Sequence, residues 1–261
     1  MGSQNHELGN TKNENEQQSE GQSVLNTVFH ASDYDDLIAS AQWSENLNGL
    51  NHYIVDALER VGEPAVLNGN LFYGHKVKDF HRLSADERFE PKRRNFFELA
   101  RRSSSFFEIG VNGGHSMLLA MMANPNLKCV GVDVCAKLSR NWARVDIYVP
   151  AVFDWFKYKF PGQVRMIKGN SLVEVPSYQI ENTNEQIDFL HLDGAKDTHL
   201  REVLSIERMW SPGAFVVHDD FNLKPVRRSD RQLRKLGVTQ PLDYASFGLV
   251  ESANHIVRVK T

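Results

Sequence analysis

The chain has 261 residues, 41% of them hydrophobic, enough to bury one sizeable core, so a single α/β domain with an N-terminal extension is the natural expectation. Its 30 basic residues nearly balance 33 acidic ones, which gives no broad field for nucleic acid or an anionic membrane and favours a small-molecule substrate. Cys129 and Cys135 match neither a disulfide scaffold nor a zinc pair, the first residues are too polar for a secretory leader, and no run of about 18 apolar residues occurs, so a cytoplasmic protein is expected.

From Gly2 to Gly21 the residues are mostly Asn, Gln, Glu, Ser and Gly, which cannot offset ordering entropy by burial, and residues 1–22 are read as a disordered tail. Ser32-Asp33 is a cap for a helix over Asp35 to Gln42. Leu47, Leu50, Ile54, Val55, Leu58 and Val61 then recur at helical spacing until Gly62 and Pro64. Ala65 to Pro91 mixes glycines, aromatics and basic residues without a period, as a loop closing over a site would. Residues 23–94 therefore form a helical extension or lid, and 95–261 the main domain.

Beyond Asn95, apolar runs alternate with helical segments, the signature of a parallel sheet with crossover helices. Strands are predicted over Ser105 to Ile109, Lys128 to Val132, Val164 to Ile167, Ile187 to Leu192 and Ala214 to His218. Phe247 to Glu251 and His255 to Val259 read as a closing antiparallel hairpin.

After the first strand, Gly110, Gly113 and Gly114 permit a tight turn and close approach of a ligand, and a helix starts near His115-Ser116. Asn112 stands where the dinucleotide fingerprint has its second glycine, which argues against NAD and leaves an oxidoreductase as a distant alternative. Asp133, just past the second strand, is placed to accept ribose hydroxyls or to cap a helix. Gly169-Asn170-Ser171 is a turn at an adenine edge.

Asp193 ends the fourth strand and Asp219-Asp220 the fifth, so three carboxylates converge on one sheet edge and call for a cation between them. Hard oxygen ligands suit Mg²⁺, with Mn²⁺ or Ca²⁺ as substitutes. Lys196 is the candidate base or oxyanion stabiliser. Among His115, His191, His199 and His218, each more readily a packing residue than a base, His218 is the first alternative.

These motifs resemble the class I S-adenosylmethionine-dependent methyltransferases, whose E-x-G-x-x-x-G frame is matched by Glu108, Gly110 and Gly114. The resemblance implies a doubly wound, Rossmann-like α/β sheet of seven strands with an antiparallel last strand, preceded here by the helical extension. It also implies a cofactor cradle of Glu108, Gly110, Asn112, Gly114, Ser116, Asp133, Ser171 and Asp193. Asp193-Gly194-Ala195-Lys196-Asp197 is similar to the metal-dependent catechol and caffeoyl-CoA O-methyltransferases, in which the aspartate binds metal and the lysine is the base. Asp219-Asp220, in place of their usual Asp-Asn, looks more like the macrocin-type sugar O-methyltransferases of antibiotic pathways. The implied function is metal-dependent methyl transfer to a hydroxyl of a small molecule with vicinal hydroxyls, with Asp193, Asp219 and Asp220 on the metal. Alternatives are a metal-independent N- or O-methyltransferase using His218 or Lys196, and a non-catalytic cofactor-binding protein. Lid helices of this kind often pair subunits, so a homodimer is an expectation too.

Overall fold

Asp33 and Ser40 start two consecutive helices. The computed structural model describes residues 30–137 and 139–261, and the tail expected over residues 1–22 lies outside them. In α1 (Tyr34–Ala39) the Asp33 carboxylate accepts from the Asp36 amide. In α2 (Ala41–Glu59) the Ser40 hydroxyl accepts from the Trp43 amide at 3.0 Å, so each cap satisfies an orphan donor of a first turn. Ser40 thus breaks the single helix expected over Asp35 to Gln42. Leu50, Ile54, Val55 and Leu58 bury one face of α2, whereas Val61 lies past its end and is exposed. Gly62, in the left-handed region, closes that helix through its N–H to the Glu59 carbonyl.

The irregular segment holds one small antiparallel pair, β1 (Val66–Leu67) and β2 (Val77–Lys78), before α3 (Glu90–Ala100). Arg93 of α3 pins it, donating to Tyr34 Oη at 2.8 Å and to the Leu71 and Asp86 carbonyls at 2.9 Å. The boundary read before Asn95 falls inside this continuous helix.

The main sheet follows as β3 (Ser105–Ile109), α4 (His115–Ala123), β4 (Lys128–Asp133), α5 (Val145–Lys159), β5 (Val164–Lys168), α6 (Ser171–Glu181), β6 (Ile187–Leu192), α7 (His199–Ile206), β7 (Trp210–Asp219), α8 (Lys224–Lys235), β8 (Thr239–Pro241) and β9 (His255–Lys260). Its order is β5-β4-β3-β6-β7-β9-β8, with β9 antiparallel to both neighbours. The seven-stranded α/β sheet with an antiparallel last strand is therefore present. Consecutive strand residues face opposite layers. Phe106, Phe189, Phe215 and Val217 pack with α1 to α5, whereas Phe107, Leu190 and Val216 pack with α6 to α8.

Two strand readings are corrected. β7 begins at Trp210 rather than Ala214, passing Gly213 at φ +83° beside a register shift against β6, so Pro212-Gly213 bends the strand without ending it. The partner of β9 is Thr239–Pro241, and Phe247 to Glu251 forms no strand. Gly248 turns the chain at φ +67°, and the Val250 amide and carbonyl are satisfied by the Asn95 side chain in place of a ladder.

Candidate active site

The chain winds from β3 outward to β5 and then returns to β6 on the other side of β3, so the strand order reverses between the parallel neighbours β3 and β6. Crevices form at such a point because the loops leaving the two strands part in opposite directions. Here the crevice is a cleft of about 640 Å³, a size suited to a nucleoside-type ligand. Gly110, Asn112, Asp133, Ser171, Asp193, Lys196, Asp219 and Asp220 all line it.

On the cofactor side, Gly110 has φ +91°, and a Cβ there would come 2.6 Å from Gly194 N. Gly114, at φ +72°, would drive a Cβ to 2.5 Å from the Phe156 ring. These glycines let the loop cross β6 and seat on α5, a packing reason that stands beside the close ligand approach expected of them, and Gly110 also lines the cleft. Asn112 sits at φ +50°, accepts from Tyr148 Oη and donates to Gly69 O at 2.9 Å, tying the segment between β1 and β2 to the loop. Asp133 accepts from the amides of Asn112 at 3.0 Å and Cys135 at 2.8 Å. Burial raises its pKa, and those amides pull against the rise. The Ser171 hydroxyl donates to Glu202 at 2.6 Å.

Glu108 and Ser116 do not line the cleft. Glu108 is fully buried, accepts from Ser116 Oγ, and lies 2.7 Å from His191 Nδ1, so it supports the floor from below. Gly114 is likewise absent from the lining.

The acidic edge is more elaborate than its motifs. Lys196 Nζ donates to Asp193 Oδ1 at 2.7 Å and to its carbonyl at 3.0 Å, and pairs with Asp220 Oδ2 at 3.0 Å. Lys92, from α3, pairs with Asp219 Oδ1. His191, Asp193 and Asp219 each offer one atom within 4.8 Å of the others. That group contains two of the three carboxylates expected on a metal and replaces the third by an imidazole. Asp220, at φ +53°, stands with Lys196. Burial raises the Asp193 pKa, and Lys196 draws it back. Asp219 is also penalised by burial, yet Lys92, Lys196 and His191 together hold it well below the usual carboxylate range. For Lys196, burial favours the neutral amine, but Asp193, Asp220 and Asp219 outweigh it and keep the ammonium. Converging hard oxygens that already attract two ammonium groups fit a divalent cation.

His218 does not reach the cleft. It is fully buried, 3.4 Å from His199 Nδ1 through its own Nδ1, and burial takes its pKa down to about 4. A hydroxyl in the cleft has no line to it. His115 is a clasp, with Nε2 2.9 Å from Asn51 Oδ1 and Nδ1 3.3 Å from Asn70 Nδ2. Sequence reasoning missed Lys92, Asn68, Phe89, Trp142 and Asn254, which all line the cleft. Only Lys92 carries a signal, because a lysine in the first turn of a helix opposes the macrodipole and needs another reason to be there.

Residues 107–221 match a family model described as a methyltransferase domain. No match was found among curated proteins. Among solved structures, the chain is similar to the O-methyltransferase TomG from Streptomyces achromogenes involved in tomaymycin synthesis, in complex with S-adenosylmethionine, at 15% identity and a TM-score of 0.51 over 81% of this chain and 89% of that one. It is similar to a calicheamicin methyltransferase at 14% identity and a TM-score of 0.52, covering 89% and 99% of the two chains. It is also similar to an O-methyltransferase from Bacillus cereus in complex with S-adenosylhomocysteine, at 14% identity and a TM-score of 0.50, covering 82% and 91%. Those identities carry the fold, and the stretch from 107 to 221, which holds the glycine loop and the acidic edge, is similar to a methyltransferase domain.

Proposed function

We propose that this protein is an S-adenosylmethionine-dependent methyltransferase that acts on a hydroxyl of a small molecule with a neighbouring oxygen, and that it does so with a divalent cation. The observation that carries the reading is the convergence of Asp193 and Asp219 beside Lys196 at the mouth of the cofactor cleft. The similar structures named as O-methyltransferases, and the calicheamicin methyltransferase, support the acceptor class.

In this reading Asp133 holds the ribose, and Val134, Trp142, Val145 and Leu172 give the adenine an apolar seat. Asp193 and Asp219, with the buried His191 or with Asp220 at the rim, would hold Mg²⁺, which lowers the pKa of a coordinated hydroxyl and fixes two adjacent oxygens. Lys196 holds its proton and places positive charge where the substrate oxygen becomes negative, so it acts as an electrostatic stabiliser. Glu108 orients His191 from beneath.

The second reading is metal-independent transfer, favoured by one observation: Lys92 and Lys196 already neutralise Asp219 and Asp193. Methyl transfer from labelled S-adenosylmethionine to a panel of catechols, sugars and natural-product alcohols, with EDTA and then with excess Mg²⁺, separates the two. Loss with chelation and return with Mg²⁺ is expected. Full activity in EDTA would establish the second reading.

A further inference from the structure

Lys92 is 5% exposed, an unusual burial for an ammonium, and nothing in its own helix explains it. It stands in the first turn of α3, where the macrodipole disfavours a cation. Its Nζ is held instead by Asp219 Oδ1, and it lies 5.7 Å from the Phe89 ring centroid, an attractive cation–π placement. The lid and the acidic edge of the sheet are thus joined by one buried charge pair.

Lys196 and Lys92 are not equivalent. Lys196 shares itself between Asp193 and Asp220, and its side chain is 23% exposed, so it has solvent to swing into. The Lys92 side chain is 6% exposed and has Asp219 as its only acidic partner among the described residues. A buried ammonium must stay paired, so it stays close to Asp219 whatever else binds there.

We propose that Lys92 is a tethered cation that competes with a divalent ion for Asp219 and thereby sets how tightly the acidic edge binds metal. The inference rests on the metal-dependent reading above. An ion joining Asp193 to Asp219 must bring two charges beside the ammonium, and in a partly dry site that repulsion is screened far less than in water. In the ion's absence Lys92 keeps Asp219 aimed at the cleft rather than repelled by Asp193.

The test is Mn²⁺ binding by the full chain, followed by loss of the free-ion paramagnetic signal and by calorimetry, without substrate. Lys92→Met removes the charge, Lys92→Gln removes it while keeping a donor for Asp219, and Lys92→Arg keeps it. Both neutral variants should bind Mn²⁺ about tenfold or more tighter than the parent, with Lys92→Arg within about threefold of it. Should Lys92→Met fail to fold, Lys92→Gln decides, because its amide still satisfies the buried carboxylate. Parent-like or weaker Mn²⁺ affinity in the folded neutral variants, with clear binding by the parent, overturns the inference and leaves the metal reading standing. No Mn²⁺ uptake by any of the four proteins overturns both.

Discussion

Lys196 is held from two directions, by hydrogen bonds to Asp193 and by an ion pair with Asp220. Asp193 and Asp220 keep it charged beside the cleft, and on the proposed function its contribution goes to the transition state and not to cofactor binding. Replacing it with Met should lower kcat by about 10²- to 10³-fold, the range for losing one oxyanion donor. S-adenosylmethionine affinity by calorimetry should stay near that of the parent. A loss of affinity without loss of turnover would assign Lys196 to binding. The motif around Asp193 was legible because strand end, glycine turn and lysine are contiguous. His191 was read as one of four similar histidines, and the Glu108 carboxylate that orients it comes from a separate strand.

At the scale of elements, α8 is docked on β9 by one buried pair. Asp230 accepts from Arg258 Nε at 2.7 Å and Nη2 at 3.2 Å, and from Arg234 Nε at 3.2 Å. Burial alone would raise the Asp230 pKa, but Arg258 and Arg234 reverse the sign and hold it below the ordinary carboxylate value. The pair therefore stabilises the fold above the unfolded aspartate pKa and loses that contribution as pH falls through the depressed folded value. Asp230→Asn should cost about 3 kcal/mol at neutral pH in urea unfolding, because Arg258 is left buried and unpaired. The gap to the parent should narrow below about pH 4. An unchanged midpoint at neutral pH would show the docking to be apolar. The same region shows where element reading fails: β8 has three residues including Pro241, too short for alternation to register, while Phe247 to Glu251 alternates convincingly but is held by Asn95.

For the whole molecule, histidine burial governs the acid side of stability. Burial takes the pKa of His115 down to about 3, of His255 to about 3 and of His199 to about 2. In the unfolded chain each binds a proton near pH 6.5, and in the native state none does until far lower, so stability falls as pH drops below about 6.5. Each contributes up to about 1.4 kcal/mol per pH unit. His191 has the opposite sign: burial is outweighed by Glu108, Asp193 and Asp219, its pKa is raised, and its contribution persists at low pH. Urea midpoints should decline steadily from pH 7 to pH 5, before most carboxylates titrate. A flat midpoint over that range would mean these rings are hydrated in solution. Among the described residues no helix is long and apolar enough to cross a membrane.

The parallel strands β3 to β7 with their crossover helices, the glycine turn after β3 and the strand-end aspartates are local properties, written in the period of apolar residues and in short motifs, and the chain by itself determined them. The jobs of those residues are another matter. That Gly110 packs against the Gly194 backbone, that His218 faces His199 and not the cleft, and which cation sits on Asp219 depend on neighbours distant along the chain. Tertiary packing alone decided them, because burial and charge pairing act through space, and a periodic pattern records which face of an element is covered without recording what covers it.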